Sequence, residues 1–113
     1  MSVEHPFEVT TGLVPGTVIA VRPHPLRDHI WIADVQVAGD RRQIIFGGTD
    51  SALTGRHVLV ALPGARLPDG TKVRRRRYAG EVSDGMLCSA AEAGLGTDTT
   101  RVHVVMRETG DGK

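Results

Sequence analysis

Five of the six residues from 72 to 77 are cationic: Lys72, Arg74, Arg75, Arg76 and Arg77, with Val73 after the first. A guanidinium group presents a fork of N–H donors that matches phosphate oxygens, and such a dense run repels itself unless an anion lies against it. As an extended segment it sets Lys72, Arg74 and Arg76 on one face and Arg75 and Arg77 on the other. Phosphate contact is one reading of this pattern. A solvated, aggregation-resistant sheet edge is the other. The two separate on one structural question, which is whether the protein's own carboxylates consume these cations.

Other chemistry has less support. Trp31 and Tyr78 are the large aromatics with a polar atom, and either can stack on a splayed-out base; packing in the core is the competing fate for Trp31. His24, Asp28 and His29 resemble a metal-ligand cluster only loosely, and Pro25 prevents a helix from presenting them on one face, so no metal is expected. Ser83, Cys88 and Ser89 stand at no nucleophile-elbow spacing, and the phosphate-cradling Gly-Lys-Ser/Thr pattern is absent. Neither a catalytic residue nor a cofactor is expected.

The elements that position these residues are short. β-branched and apolar runs recur at Gly16–Val21, Ile30–Val37, Gln43–Phe46, His57–Leu62, Val73–Tyr78, Gly85–Ser89 and Val102–Met106, the first four closed by Gly, Pro or Asp. Six or seven short strands with Gly-rich punctuation predict a small barrel or sandwich. Within Ile30–Val37 the phase is broken, because Ile30 and Ile32 share one face and Val35 and Val37 the other. A β-bulge near Ala33–Asp34 is expected to reconcile them and to leave Trp31 toward solvent. Ser89–Ala93, followed by Gly94, predicts one short helix with a glycine C-cap.

Bulk composition bounds the rest. A chain of 113 residues is one domain's worth. Fourteen basic residues face thirteen acidic ones, so a net charge of +1 carries no global argument for nucleic acid; only the clustering does. A lone cysteine, Cys88, forms no internal disulfide and is expected to be buried in a reducing compartment. Nothing in the sequence reads as a signal peptide or a membrane span, and a cytoplasmic location is expected.

Four segments together resemble a known family. They are Val21-Arg22-Pro23-His24-Pro25 with Asp28 and Ile30; Gln43 to Gly47; Val60 to Ala65 with Leu67, Pro68 and Gly70; and Gly80 with Ser83-Asp84-Gly85-Met86-Leu87-Cys88-Ser89. The tail Gly94 to Asp98 fits the same pattern. In order and spacing these are similar to the tRNA-binding domain found near the N-terminus of bacterial phenylalanyl-tRNA synthetase β subunits. The resemblance implies an all-β OB-fold, a five-stranded Greek-key barrel with extra short strands. It also implies non-catalytic recognition of tRNA or another structured RNA by shape and backbone. Lys72, Arg74, Arg75 and Arg77 fall on the family's basic strand, and Ser83 and Met86 on positions that shape its binding surface. His29, Asp50 and Ala79 depart from the family's Lys or Arg, Asn and Arg, which weakens anion contact there, while Arg76 adds a cation.

The expected nucleic-acid contacts are therefore Lys72, Arg74, Arg75, Arg76, Arg77, Ser83, Met86, Trp31 and His29. The expected organisation is an N-terminal arm at 1–11, the OB-fold domain at 12–106 and a tail at 107–113. An aminoacyl-tRNA synthetase is a candidate partner, and no membrane is expected. The competing reading is a protein-interaction or homodimerisation module of the same fold.

Overall fold

The computed structural model describes residues 11–48, 51–96 and 101–105. Eight strands occur among them: β1 (Thr11–Pro23), β2 (Ile30–Val37), β3 (Asp40–Gly47), β4 (His57–Arg66), β5 (Arg76–Tyr78), β6 (Glu81–Ser83), β7 (Met86–Leu87) and β8 (Val104–Val105). The main sheet runs β3-β2-β1-β4-β7, with β8 also on β4, and β5 and β6 form a separate hairpin. All pairings are antiparallel. This strongly curled sheet is OB-like, as expected.

The curl is built into β1, the central strand. Its interior positions are Val14, Gly16 and Val18, at period two, and then Val21, which is out of step. The pairing with β2 shifts between Val18↔Val35 and Ala20↔Asp34, so Ile19 is an extra residue. That bulge bends the strand and returns Val21 to the inner face. Gly16 lies where the barrel wall is tightest. A Cβ there would come within 2.8 Å of Val35 Cγ1 and 3.1 Å of Val60 Cγ2, so no larger residue fits.

The bulge is thus opposite the Asp34–Val35 step, not within β2 as the sequence pattern suggested. β2 pairs with β3 without interruption from Ile30↔Gly47 to Val37↔Asp40. Its two apolar sets stay on opposite faces: Ala33, Val35 and Val37 point inward, while Ile32 is buried on the other side. Period two then places Trp31 with the inward set, next to its cross-strand partner Phe46. The indole packs half-buried against the core, and its Nε1–H donates to Gly48 O at 2.9 Å. The expectation that Trp31 faces solvent is corrected by this register.

The fifth strand of the barrel comes in two pieces. β7 pairs at Val60 and Ala61, Cys88 N–H donates to Leu59 O, and β8 continues along the same edge at Val58 and His57. The chain leaves this line after Cys88 and rejoins it at His103. The neck is pinched by the Ser89↔Val102 bridge and by His103 N–H to Cys88 O. Within the excursion the predicted helix is a single turn. Ser89 N–H donates to Glu92 Oε1 and Glu92 N–H to Ser89 Oγ, a reciprocal cap. Leu95 N–H to Ala90 O and Gly94 N–H to Ala91 O then close it, with Gly94 at φ 76°. Start and stop signals sit too close together for a helix to grow between them.

Deleting Ile19 is expected to abolish cooperative folding. It would turn Val14 and Val18, or Val21, outward, at ~1.5–3 kcal/mol per valine, against a net stability of only ~5–15 kcal/mol. Ile19→Thr, at a position 40% exposed, should shift stability by no more than about 0.5 kcal/mol. Urea denaturation of both variants checks the pair.

Candidate nucleic-acid interface

The basic run is held by its one apolar residue. Past Pro63 the chain folds into a small hairpin, with Gly64 N–H to Val73 O and Val73 N–H to Ala65 O, both 2.8 Å. Its tip is the Leu67–Thr71 turn, where Thr71 N–H donates to Asp69 Oδ1 at 2.8 Å. The bonds from Thr71 hold the Asp69 carboxyl below its ordinary range. Val73 is buried in a second apolar cluster with Ala61, Ala65, Leu67 and Cys88, on the face of β4 opposite the barrel interior. With Val73 pegged, the neighbouring Lys72 and Arg74 are forced outward. Only Arg76–Tyr78 of the expected strand is in a ladder, paired with β6 across an Ala79-Gly80 turn. Both turn residues have positive φ, 46° and 90°, as a two-residue hairpin of this hand requires.

The β5–β6 hairpin is fastened to β3 by side chains. Gln43 Nε2–H donates to Val82 O at 2.8 Å, and Gln43 Oε1 accepts from Arg22 Nη2 at 3.0 Å. Ile45 N–H donates to Ser83 Oγ at 2.9 Å, and the same hydroxyl donates to Gly85 O at 3.0 Å. Asp84 N–H reaches Gln43 O at 2.8 Å. Gly85 has φ 131°, and a Cβ on it would lie 2.9 Å from Ala61 O, so glycine is required where the chain dives between β3 and β4.

Hairpin, seam and basic run enclose a cleft of about 210 Å³. Buried Leu67 and Val73 and half-buried Ile45 and Met86 give it an apolar floor. Exposed Lys72, Arg74 and Arg76 form its rim, and Ser83 and Gly85 line it too. The carboxylate in the seam is spent elsewhere. Asp84 pairs with Arg42 at 2.8 Å, and Arg75 Nε lies 4.0 Å from its other oxygen. Lys72, Arg74 and Arg76 have no carboxylate partner among the described residues.

The structure therefore brings together Lys72, Arg74, Arg76, Ser83 and Met86. Arg75 turns toward Asp84, and Arg77 is exposed with a long contact, 3.4 Å, to Gly80 O. Neither lines the cleft, nor do Trp31 and His29. His29 is exposed at φ 59°, and its carbonyl accepts Gly48 N–H. Asp50 lies outside the described residues. Among the described residues the Asp28 carboxylate makes no turn bond; in this loop His24 takes a backbone N–H instead. Its Nδ1 accepts Leu26 N–H at 3.0 Å, which leaves the proton on Nε2 to donate to Tyr78 O at 3.1 Å. The buried imidazole also meets the Tyr78 ring edge-on at 5.8 Å, tying the β1–β2 loop to the end of the basic run. Ile45 and Leu67 were not anticipated in the site. An apolar residue at an outward position of β3 was the available signal.

Cys88 is fully buried beneath this surface. Burial, reinforced by the nearby Glu92 carboxylate, pushes its thiol up to about 11. A thiol so protonated is a poor nucleophile.

Residues 13–113 match the family described as "Putative tRNA binding domain". The chain belongs to this tRNA-binding domain family. It is 37% identical over 99 residues to the phenylalanine–tRNA ligase β subunit of Symbiobacterium thermophilum, covering 88% of this chain and 11% of that protein. It is 42% identical over 98 residues to the same subunit of Moorella thermoacetica, covering 84% of this chain and 12% of that one. The chain thus spans about a ninth of the length of these relatives. Among solved structures, the C-terminal domain of Plasmodium vivax p43 superposes with a TM-score of 0.54 at 24% identity, over 66% of this chain and 42% of that one. That likeness supports the fold.

Ser83→Ala should destabilise the domain by about 1–3 kcal/mol, because it strands the Ile45 N–H; equilibrium unfolding measures it, and a change under 0.5 kcal/mol contradicts the seam. The raised Cys88 value has its own signature. A folded thiol that ionises near 11 rather than 9.0 favours the native state below about pH 9, and that contribution is lost as pH climbs toward 11. Cys88→Ala should flatten stability against pH across that window.

Proposed function

We propose that this domain binds tRNA, or another structured RNA, through its sugar–phosphate backbone and shape, and performs no chemistry itself. The observation that carries the reading is the row of three outward cations, Lys72, Arg74 and Arg76, unpaired by any carboxylate among the described residues. Such a row costs self-repulsion in the free protein and is stabilised by phosphate. Asp84 would repel an approaching phosphate, and the Arg42 pair at 2.8 Å neutralises it.

The Ser83 hydroxyl proton is spent on Gly85 O, so Ser83 has no donor left for a base edge. Contacts made mainly to phosphates carry no sequence information, so sequence discrimination should be slight. The relatives carry this module inside a phenylalanine–tRNA ligase subunit. A role in holding tRNA for a synthetase follows as part of the same proposal.

Titration with unfractionated tRNA at low salt is the direct test. The log–log salt slope should fall by ~0.7–0.9 for each phosphate contact removed. Lys72→Ala, Arg74→Ala and Arg76→Ala together should lower it by about two to three. Arg75→Ala should do less, since that side chain is shared with Asp84. An unaltered slope in the triple variant, or no tRNA affinity at all, refutes the proposal.

A further inference from the structure

We infer that the cleft beneath Lys72, Arg74 and Arg76 takes one unpaired nucleobase of the bound RNA, an inference that rests on the backbone-binding reading above. Phosphate alone explains the rim but not the floor. Ile45 and Met86 are left half-buried in an apolar depression that the surrounding chain does not fill. A ligand that is an anion and nothing more would gain nothing from covering them. A nucleotide is built to match both parts, with a flat, largely apolar base one sugar away from its phosphate. The volume, about 210 Å³, has room for a single base.

The lining suits a π-face. The Met86 thioether is polarisable and makes favourable contacts with aromatic rings. The planar guanidinium groups of Arg74 and Arg76 can lie over a base while the Lys72 ammonium meets the adjoining phosphate. Ser83 Oγ already accepts from Ile45 N–H and donates to Gly85 O, so it has no proton left for a base edge, and the apolar floor meets the base by its face. The site is therefore selective for unpaired nucleotides. Of the two aromatics first suited to stacking, Trp31 is packed against the core, and Tyr78 is exposed outside the cleft with its ring edge-on to His24.

The test uses an RNA hairpin with one bulged 2-aminopurine and its fully paired counterpart, titrated at one fixed salt concentration. The bulged RNA should bind about fivefold or more tightly than the paired one, with a fluorescence change on the bulged base. Met86→Gln should erase that preference. Because Met86 also touches the apolar cluster, Thr71→Trp is the second variant: residue 71 is exposed at the cleft mouth, and an indole there should fill the cleft with charges unchanged. Equal binding of both hairpins by the unmodified protein overturns this inference and leaves backbone binding standing. Loss of affinity for both would overturn backbone binding itself. Binding of an acidic, phenylalanine-containing peptide that is blocked by Thr71→Trp, with no preference for bulged RNA, would assign the cleft to a protein ligand and also overturn the inference.

Discussion

A strand at the rim of a curled sheet has N–H and C=O groups pointing away from its only neighbour, and they must be satisfied or left to water. β3 is such a strand. No full-length strand is available to close against it, since the hairpin beyond it contributes three-residue strands and β7 only two residues. The fold answers with substitutes for a ladder. The Ser83 hydroxyl takes the Ile45 N–H, the Asp84 N–H takes the Gln43 carbonyl, and the Gln43 carboxamide reaches Val82. Each such bond is worth only ~1 kcal/mol net, but leaving it unmade beside a buried core costs more. One wall of the cleft is positioned by this seam: Met86 follows Gly85 out of it, and Arg76 enters it across from Ser83.

The electrostatics depend on the same geometry. Alternation divides the cationic run into two sets with different fates. Lys72, Arg74 and Arg76 remain outward because Val73 is anchored in the apolar cluster between them. Arg75 faces the Asp84 carboxylate and is partly compensated. A net charge of +1 over the whole chain thus coexists with a local concentration of positive charge, and Asp84 does little to quench it because it is occupied by Arg42.

Much of this was legible in the residues. Gly and Pro punctuation delimits the strands, and the β-branched runs mark their existence. The alternation within Lys72–Arg77 already separates the two sets of cations. What escaped was information carried by neighbours. Two apolar phases in Ile30–Val37 suggest a bulge there, but both faces of that strand are covered, and the extra residue sits on its partner at Ile19. Trp31 changes sides as a result. Ser89-Ala-Ala-Glu92 is a helix cap by composition, yet Gly94 ends the turn before it propagates. Ser83 reads as a surface residue of a binding loop, whereas its hydroxyl is used up within the protein. No spacing rule shows that a serine hydroxyl will stand in for a missing strand.

The division of the last barrel strand has an evolutionary side. Cys88 and His103 are joined directly by a backbone bond, and the pieces on either side are each held by β4. Whatever lies between them is a detour whose length the barrel does not register. Ala93 and Val102 still pack against the two apolar clusters, but between those anchors residues can be gained or lost at small cost, because the cost of lengthening a closed loop grows only with the logarithm of its size. The detour is therefore the natural place for members of such a family to diverge in size, and for a new appendage to be grafted while the cationic cleft is kept intact.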